Sequence, residues 1–445
     1  MTIRILVLLG LLLTMNSEKA HGQSSPIRLS LADAITRGLE NSHRIAEARA
    51  REEGARAAVT TADLAGKPMV SASAGYTRTN HVTEFSFPQP NGTRLVVYPD
   101  LPDNVVSRLS FQWPIYTSGR VDALERAATA EAQAAGADID ATRADLRLEI
   151  VRAYWAAVTA REAARVIEES FARAEAQLRD ARQRFDVGLI PPNEVSSLEA
   201  QRSRERAQLI EASNIRESAA IELRRLIGSP QDAVLELTDT LDAGSASPAA
   251  AAEGNVADTI KAALAVRPER KALTLRMGGA EARQQAALTA TKPTVAFTGG
   301  VDYANPNTRI FPRKGEWQES WDVGISVNWN FLDFGRAKSQ AAEASAAITA
   351  TRERIAEFDS IVSADVRQRL LDLESSRAMV SAAADAVKSA AEARRIVTDR
   401  FGAGVATSTD VLVAQVALLE TELARTRALA NVRLAEARLE RSLGR

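Results

Sequence analysis

Twice in this chain an alternating run of apolar and polar residues stops at Gly-Arg and opens a long polar stretch free of proline: FQWPIYTSGR at 111–120 and VNWNFLDFGR at 327–336. A junction written twice implies a duplicated unit in which a strand feeds directly into a helix. The repetition extends well beyond the junction. Trp113, Gly119, Arg120, Arg184, Phe185 and Gly188 recur 216 positions on as Trp329, Gly335, Arg336, Arg400, Phe401 and Gly404. Ala32, Asp33, Leu39, Lys67, Pro68 and Gly75 recur 225 positions on as Ala257, Asp258, Leu264, Lys292, Pro293 and Gly300. The mismatch between the two offsets predicts a longer first loop in the first copy.

Each copy reads helix, strand, loop, strand, very long helix, turn, helix. The opening helices are expected as single elements of roughly 36 residues, starting at the capping patterns Ser30 to Asp33 and Asn255 to Asp258 and ending at Lys-Pro. From Gly119 to Val187, and again from Gly335 to Ala403, the pattern predicts helices about 100 Å long at about 1.5 Å per residue. In the first of these, Leu146, Ile150, Ala153, Ala157, Ala160, Ala164, Ile167, Phe171, Ala174, Leu178, Ala181 and Phe185 follow 4,3 spacing, with Arg and Glu on the other faces. That is a coiled-coil seam of small knobs, which lets neighbouring helices approach closely. The same seam would suit a soluble coiled-coil scaffold without a pore, so the strands must discriminate.

From Trp321 to Phe331 the odd positions are Trp, Val, Ile, Val, Trp and Phe, whereas the even ones are Asp, Gly, Ser, Asn and Asn. Val295, Phe297, Val301 and Tyr303 alternate in the same way, as do Leu109, Phe111, Trp113 and Ile115; Val70 to Thr77 is a weaker fourth. Such strands have the length needed to cross a bilayer, with aromatics towards their ends. Four strands cannot close a cylinder, and open edges in hydrocarbon leave backbone groups unpaired. Several copies must therefore share one barrel.

Composition narrows the functions. The chain has 445 residues, 25% charged and 5% aromatic, with a formal net charge of -1. Balanced, interleaved charge offers no footprint for nucleic acid. Without cysteine there is no disulfide, no thiolate metal site and no acceptor for a lipid anchor. His21, His43 and His81 are the only histidines, which argues against a His-based metal site or catalytic triad, and no recognisable catalytic spacing appears elsewhere. Neither an enzyme nor a cofactor is expected. The N-terminus, with Arg4 and an apolar run from Ile5 to Leu13, reads as a secretory signal peptide over 1–22, cut near Gln23. The expected organisation is that signal, a first repeat over 23–228, a linker over 229–255 and a second repeat over 256–445.

The opening LSLADAI, the junctions QWPIYTSGR and NWNFLDFGR, and the turns RFDVGLIPPNEV and RFGAGVATSTDVLVAQ together resemble the outer membrane efflux protein family, the TolC-like channels, over nearly the whole mature length. The resemblance implies a mainly α fold with membrane β: a homotrimeric α-helical barrel in the periplasm, continuous with a 12-stranded outer membrane β-barrel built from four strands per protomer. It implies a passive exit duct in outer membrane lipid, docked to a periplasmic adapter and an inner membrane pump that chooses the cargo.

Family resemblance also supplies site residues. Val187, Gly188 and Leu189 of the first turn and Ala403, Gly404 and Val405 of the second match the tips that contact the adapter, although a glycine can serve there only to reverse the chain. Glu194 and Asp410 match the carboxylates of a gate ring at the narrow mouth; each could instead stabilise the start of its own helix. Where relatives often carry an arginine and a further carboxylate, this chain has Ala406 and Val413, so a salt-bridge latch must be built differently. Gly119 and Gly335 are expected to turn the backbone from strand to helix, with Arg120 and Arg336 at the aqueous boundary.

Overall fold

The computed structural model describes residues 26–241 and 255–445. The expected signal peptide and the middle of the expected linker lie outside these residues. In chain order the elements are β1 (Ile27–Leu29), α1 (Leu31–Glu40), α2 (His43–Leu64), β2 (Met69–Arg78), β3 (Phe85–Pro88), β4 (Arg94–Tyr98), β5 (Asp103–Tyr116), α3 (Arg120–Asp186), α4 (Pro192–Ile227), β6 (Leu235–Leu237), α5 (Val256–Val266), α6 (Pro268–Leu288), β7 (Thr294–Asn305), β8 (Gln318–Asn328), α7 (Arg336–Gly402) and α8 (Ser408–Ser442). Among the described residues no helix is long and apolar enough to cross a membrane.

Two of the expected single helices are broken. In the first copy α1 ends at Asn41, and the Ser42 hydroxyl caps α2 by accepting from Ile45 N at 3.4 Å. In the second, Pro268 opens α6, and Arg267 before it is pushed out of the helical region, with ψ 119°. The breaks occupy equivalent places because each receives the end of its own unit's last helix. Asn41 Nδ2 donates to Ile227 O at 3.1 Å, and the Arg267 guanidinium donates to Ser442 O at 2.9 Å. Gly228 sits at φ +66° against Asn41, where a Cβ would come within 2.7 Å of the Asn41 side chain. Ser30 and Asp33 form the reciprocal capping box, whereas Asn255 caps through Ala257 N rather than through Asp258.

The two long helices match their expected spans, at 67 residues each. Every member of the α3 seam is buried except Phe171, which is half-buried, and Phe185 near the tip, which is exposed. Around α3 the packing order is α2, α3, α6, α7 near the sheet and α4, α3, α8, α7 away from it. Two shorter helices thus line each long one end to end.

Strands β2, β5, β7 and β8 form one antiparallel sheet in that order. Register places Val70, Phe111 and Gly299 on one face with Leu109, Val301 and Trp321, and places Ser73, Arg108, Asp302 and Ser320 on the other. The apolar face is bare in the protomer: Trp321 is 74% exposed and Ile325 68%. Here β8 stops at Asn328, so Trp329 and Phe331 stand beyond the strand and not in it as their alternation suggested. The longer first loop holds a small hairpin, β3 with β4, that the sequence reading did not anticipate.

Also unanticipated is a two-stranded parallel pair, β1 with β6, which ties the start of the chain to the linker. It is anchored on α3. The Tyr154 hydroxyl, fully buried, donates to Asp239 Oδ2 and lies 3.1 Å from Leu29 O, while Asp239 also accepts from Leu31 N at 2.9 Å. Burial, followed by the Asp239 carboxylate, pushes the Tyr154 hydroxyl pKa well up, so it stays a donor at all physiological pH. Tyr154→Phe removes that donor and should cost about 1 kcal/mol, read as a lowered melting temperature of the detergent-solubilised protein; an unchanged melting curve would show that the strap does not contribute to stability.

Candidate functional site at the helical tips and on the sheet

At the far ends of the long helices, both turns use one hydrogen-bond scheme. Gly188 N donates to Phe185 O at 2.8 Å and Leu189 N to Arg184 O at 2.8 Å; Gly404 N donates to Phe401 O at 3.0 Å and Val405 N to Arg400 O at 2.9 Å. The glycines take φ +75° and +73°, the left-handed conformation that closes a helix at low steric cost. With the turns closed in this way, Val187, Leu189 and Val405 project as large apolar side chains, each at least two-thirds exposed, and Ala403 is exposed beside them. The tips are joined to each other. Leu412 packs on the Leu178, Ala181 and Leu198 cluster, and the Arg184 guanidinium lies 5.2 Å from the Phe401 ring centroid.

Glu194 and Asp410 both occupy the third helical position, but their surroundings differ. The helix before Asp410 is capped by Thr407, whose backbone N–H donates to Asp410 Oδ2 at 2.9 Å and whose hydroxyl donates to it at 2.8 Å. At the equivalent place before Glu194 stands Pro191, which offers neither donor, and Glu194 Oε2 is buried without a hydrogen-bond partner in the protomer. The sequence reading treated the two carboxylates alike. Among the described residues no ion pair joins the segment 180–200 to 395–415, and Ala406 and Val413 supply none.

At the other end of the long helices, Gly119 and Gly335 are the N-cap residues of α3 and α7, at φ +81° and +89°, in open space. Their lack of a side chain serves the backbone angle and not a close approach. Arg120 and Arg336 follow as the first helical residues, both exposed. What the sequence did not reveal is that the residue before each glycine, Ser118 and Phe334, is also left-handed, at φ 54° and 52°. Two successive left-handed residues swing the chain sharply from sheet to helix.

The polar face of the sheet carries a charged quartet that sequence reading missed. Arg108 Nη1 donates to Asp302 at 2.7 Å and its Nη2 to Asp322 at 3.0 Å; Arg309, in the loop after β7, pairs with the same two carboxylates at 3.5 and 2.7 Å. Arg108 falls one residue before the strand as alternation delimited it. The available signal was the rare charge at polar-face positions of three different strands and in the loop between two of them.

A sheet apolar on one side and polar on the other, prolonged by long helices through a sharp turn, is the architecture of a membrane β protein with a helical extension. Comparison with known proteins gives the particular class. A model of the outer membrane efflux protein family matches residues 34–229 and 259–445, and the chain belongs to that family. Outer membrane protein TolC of Vibrio cholerae serotype O1 is 24% identical over 389 residues, 86% of this chain and 83% of that protein. Outer membrane efflux protein BepC of Brucella suis is 26% identical over 309 residues, 67% of this chain and 62% of that protein. Among solved structures, the fold is similar to that of VceC from Vibrio cholerae, with TM-score 0.75 at 20% identity over 93% of this chain and 96% of that one. It is also similar to CusC, with TM-score 0.78 at 15% identity over 93% and 92%. The protein is an outer membrane channel of the efflux and secretion class.

Hydrogen bonds from the Thr407 backbone, then from its hydroxyl, hold the Asp410 carboxyl below its ordinary value of 3.8. A lowered folded-state pKa contributes stability that is complete above the ordinary value and is lost as pH falls through the lowered one. The first turn of α8 should therefore keep its protection from hydrogen exchange, corrected for intrinsic rate, from neutral pH to about pH 5 and lose it only in stronger acid. Thr407→Ala should speed exchange there several-fold at neutral pH; equal protection in the variant would mean that the cap does not hold the tip.

Proposed function

We propose that three copies of this chain form a passive exit duct, in which a 12-stranded barrel in the outer membrane continues into a helical tunnel across the periplasm. One observation carries this: the protomer leaves the same two edges unpartnered from top to bottom. In the sheet the edges are β2 and β8, and these strands run antiparallel to one another, so β8 of one copy meets β2 of the next in the sense an antiparallel barrel requires. Among the helices the matching edges are α2 with α4 on one side and α7 on the other. The α7 helix buries 6 of its residues where α3, of equal length, buries 22. Ile210, Ile215 and Ile221 on α4 and Ile361, Leu371 and Met379 on α7 stand exposed along those edges, as surfaces awaiting a neighbour do.

In this assembly the two repeats, 23–228 and 256–445, occupy alternate positions around the tunnel, joined by the linker over 229–255. Val187, Gly188, Leu189, Ala403, Gly404 and Val405 form the apolar contact for a periplasmic adapter, which couples the duct to an inner membrane pump. Glu194 and Asp410 ring the narrow mouth and attract cations. Glu194 is the stronger contributor, because its carboxylate is not consumed by a cap. The chain itself catalyses no reaction; transport is driven by the pump, which also selects the cargo.

Solubilised in mild detergent, the protein should have three times the mass of one chain. Because it has no cysteine, Ala72→Cys combined in turn with Val323→Cys and Ile325→Cys should give oxidised products linking different copies. A stable monomer without cross-links would sink the closed barrel. In planar bilayers, Glu194→Gln should relieve most of the block by multivalent cations and Asp410→Asn less of it; block of unchanged strength in the double variant would remove both residues from the gate.

A further inference from the structure

Neither the strand edges nor the helical tips account for the charged quartet on the polar face of the sheet. It sits at the end of β7 remote from the helices, hence at the outer mouth of the pore. Arg108 and Arg309 each bridge both Asp302 and Asp322, so two positive and two negative charges cancel within one protomer. Two features are built around this pairing. Gly300 lies beneath the Arg108 guanidinium, where a Cβ would stand 2.6 Å from Nη2 and 2.8 Å from Cζ. A methyl group there would push the guanidinium off its present seat along the wall. Beyond β7, the loop is turned back by Asn307, which is buried: its Nδ2 donates to Gln318 O and Ser320 Oγ at 3.0 Å each, and its Oδ1 accepts from Arg309 N at 3.0 Å. Arg309 is thereby brought against the two carboxylates of the sheet while its side chain stays 41% exposed.

We infer that this quartet is a charge-balancing lining that sets the ion selectivity of the outer mouth, and that Gly300 is the positioning residue that keeps Arg108 out of the permeation path. The inference rests on the trimeric channel proposed above. A neutral rim lets cargo of either sign leave, whereas three unpaired charges of one sign around a low-dielectric wall would focus a field across the opening.

Reversal potentials in planar bilayers across a potassium chloride gradient test it, on variants that retain the trimer's mass. Arg309→Gln leaves one net negative charge per protomer and should raise the cation-to-anion permeability ratio about two-fold or more. Asp322→Asn leaves one net positive charge and should lower it by a similar factor. Arg309→Lys keeps the charge and should stay near the parent value, which a role confined to guanidinium geometry would not produce. Gly300→Ala keeps the net charge but lifts Arg108 from the wall, and should lower conductance. Pores that conduct like the parent, with Arg309→Gln and Asp322→Asn unshifted or shifted in the same direction, would overturn the quartet. Absence of any conductance in the parent protein would instead overturn the channel.

Discussion

In hydrocarbon a strand edge has no water to pair with, and β2 and β8 each present a row of backbone donors and acceptors that no strand among the described residues pairs. The rest of the architecture conforms to that constraint. Because β2 descends from α2 and β8 continues into α7, the two open edges of the sheet are prolonged as the outer flanks of the helical part. In the proposed trimer such a chain is one sector of a cylinder, and its stability in isolation is not the quantity that matters.

The helical part solves a different problem, which is to remain ordered over about 100 Å with little thickness in which to bury apolar surface. It does so with small knobs on α3 that let partners approach closely, and with paired short helices whose ends are fixed by caps and by carbonyl contacts at Asn41 and Arg267. Surface ion pairs along the helices are numerous, but most are exposed and contribute little individually. Left-handed glycines close both tips, and consecutive left-handed residues turn the chain at both junctions with the sheet.

Duplication has not left the two units identical in the places where function concentrates. Thr407 ties up its carboxylate and Pro191 does not. The charged quartet draws Arg108 from the first unit and Asp302, Arg309 and Asp322 from the second. The repeats thus differ at the helical tips and on the polar face of the sheet, and also along the long helices, where α3 buries 22 residues and α7 buries 6.

Much of the chain was legible because its signals are local and repeated. Alternation marked the four membrane strands, an unbroken 4,3 seam marked α3, and Gly-Arg marked both junctions. The helix breaks had signals too, in Asn41-Ser42 and in Pro268, although each helix was expected to run unbroken from its capping pattern to Lys-Pro. Short strands such as β1 and β6 were invisible because three residues carry no period, and their pairing depends on segments more than two hundred residues apart. By itself the sequence determined the strand faces, the spans of the two long helices and the insufficiency of one copy to close a barrel, since these follow from periodicity and hydrogen-bond accounting along the chain. Tertiary structure alone decided which charges meet across the sheet, which carboxylate is capped and which edges stay open, because each depends on the register between elements distant in the chain.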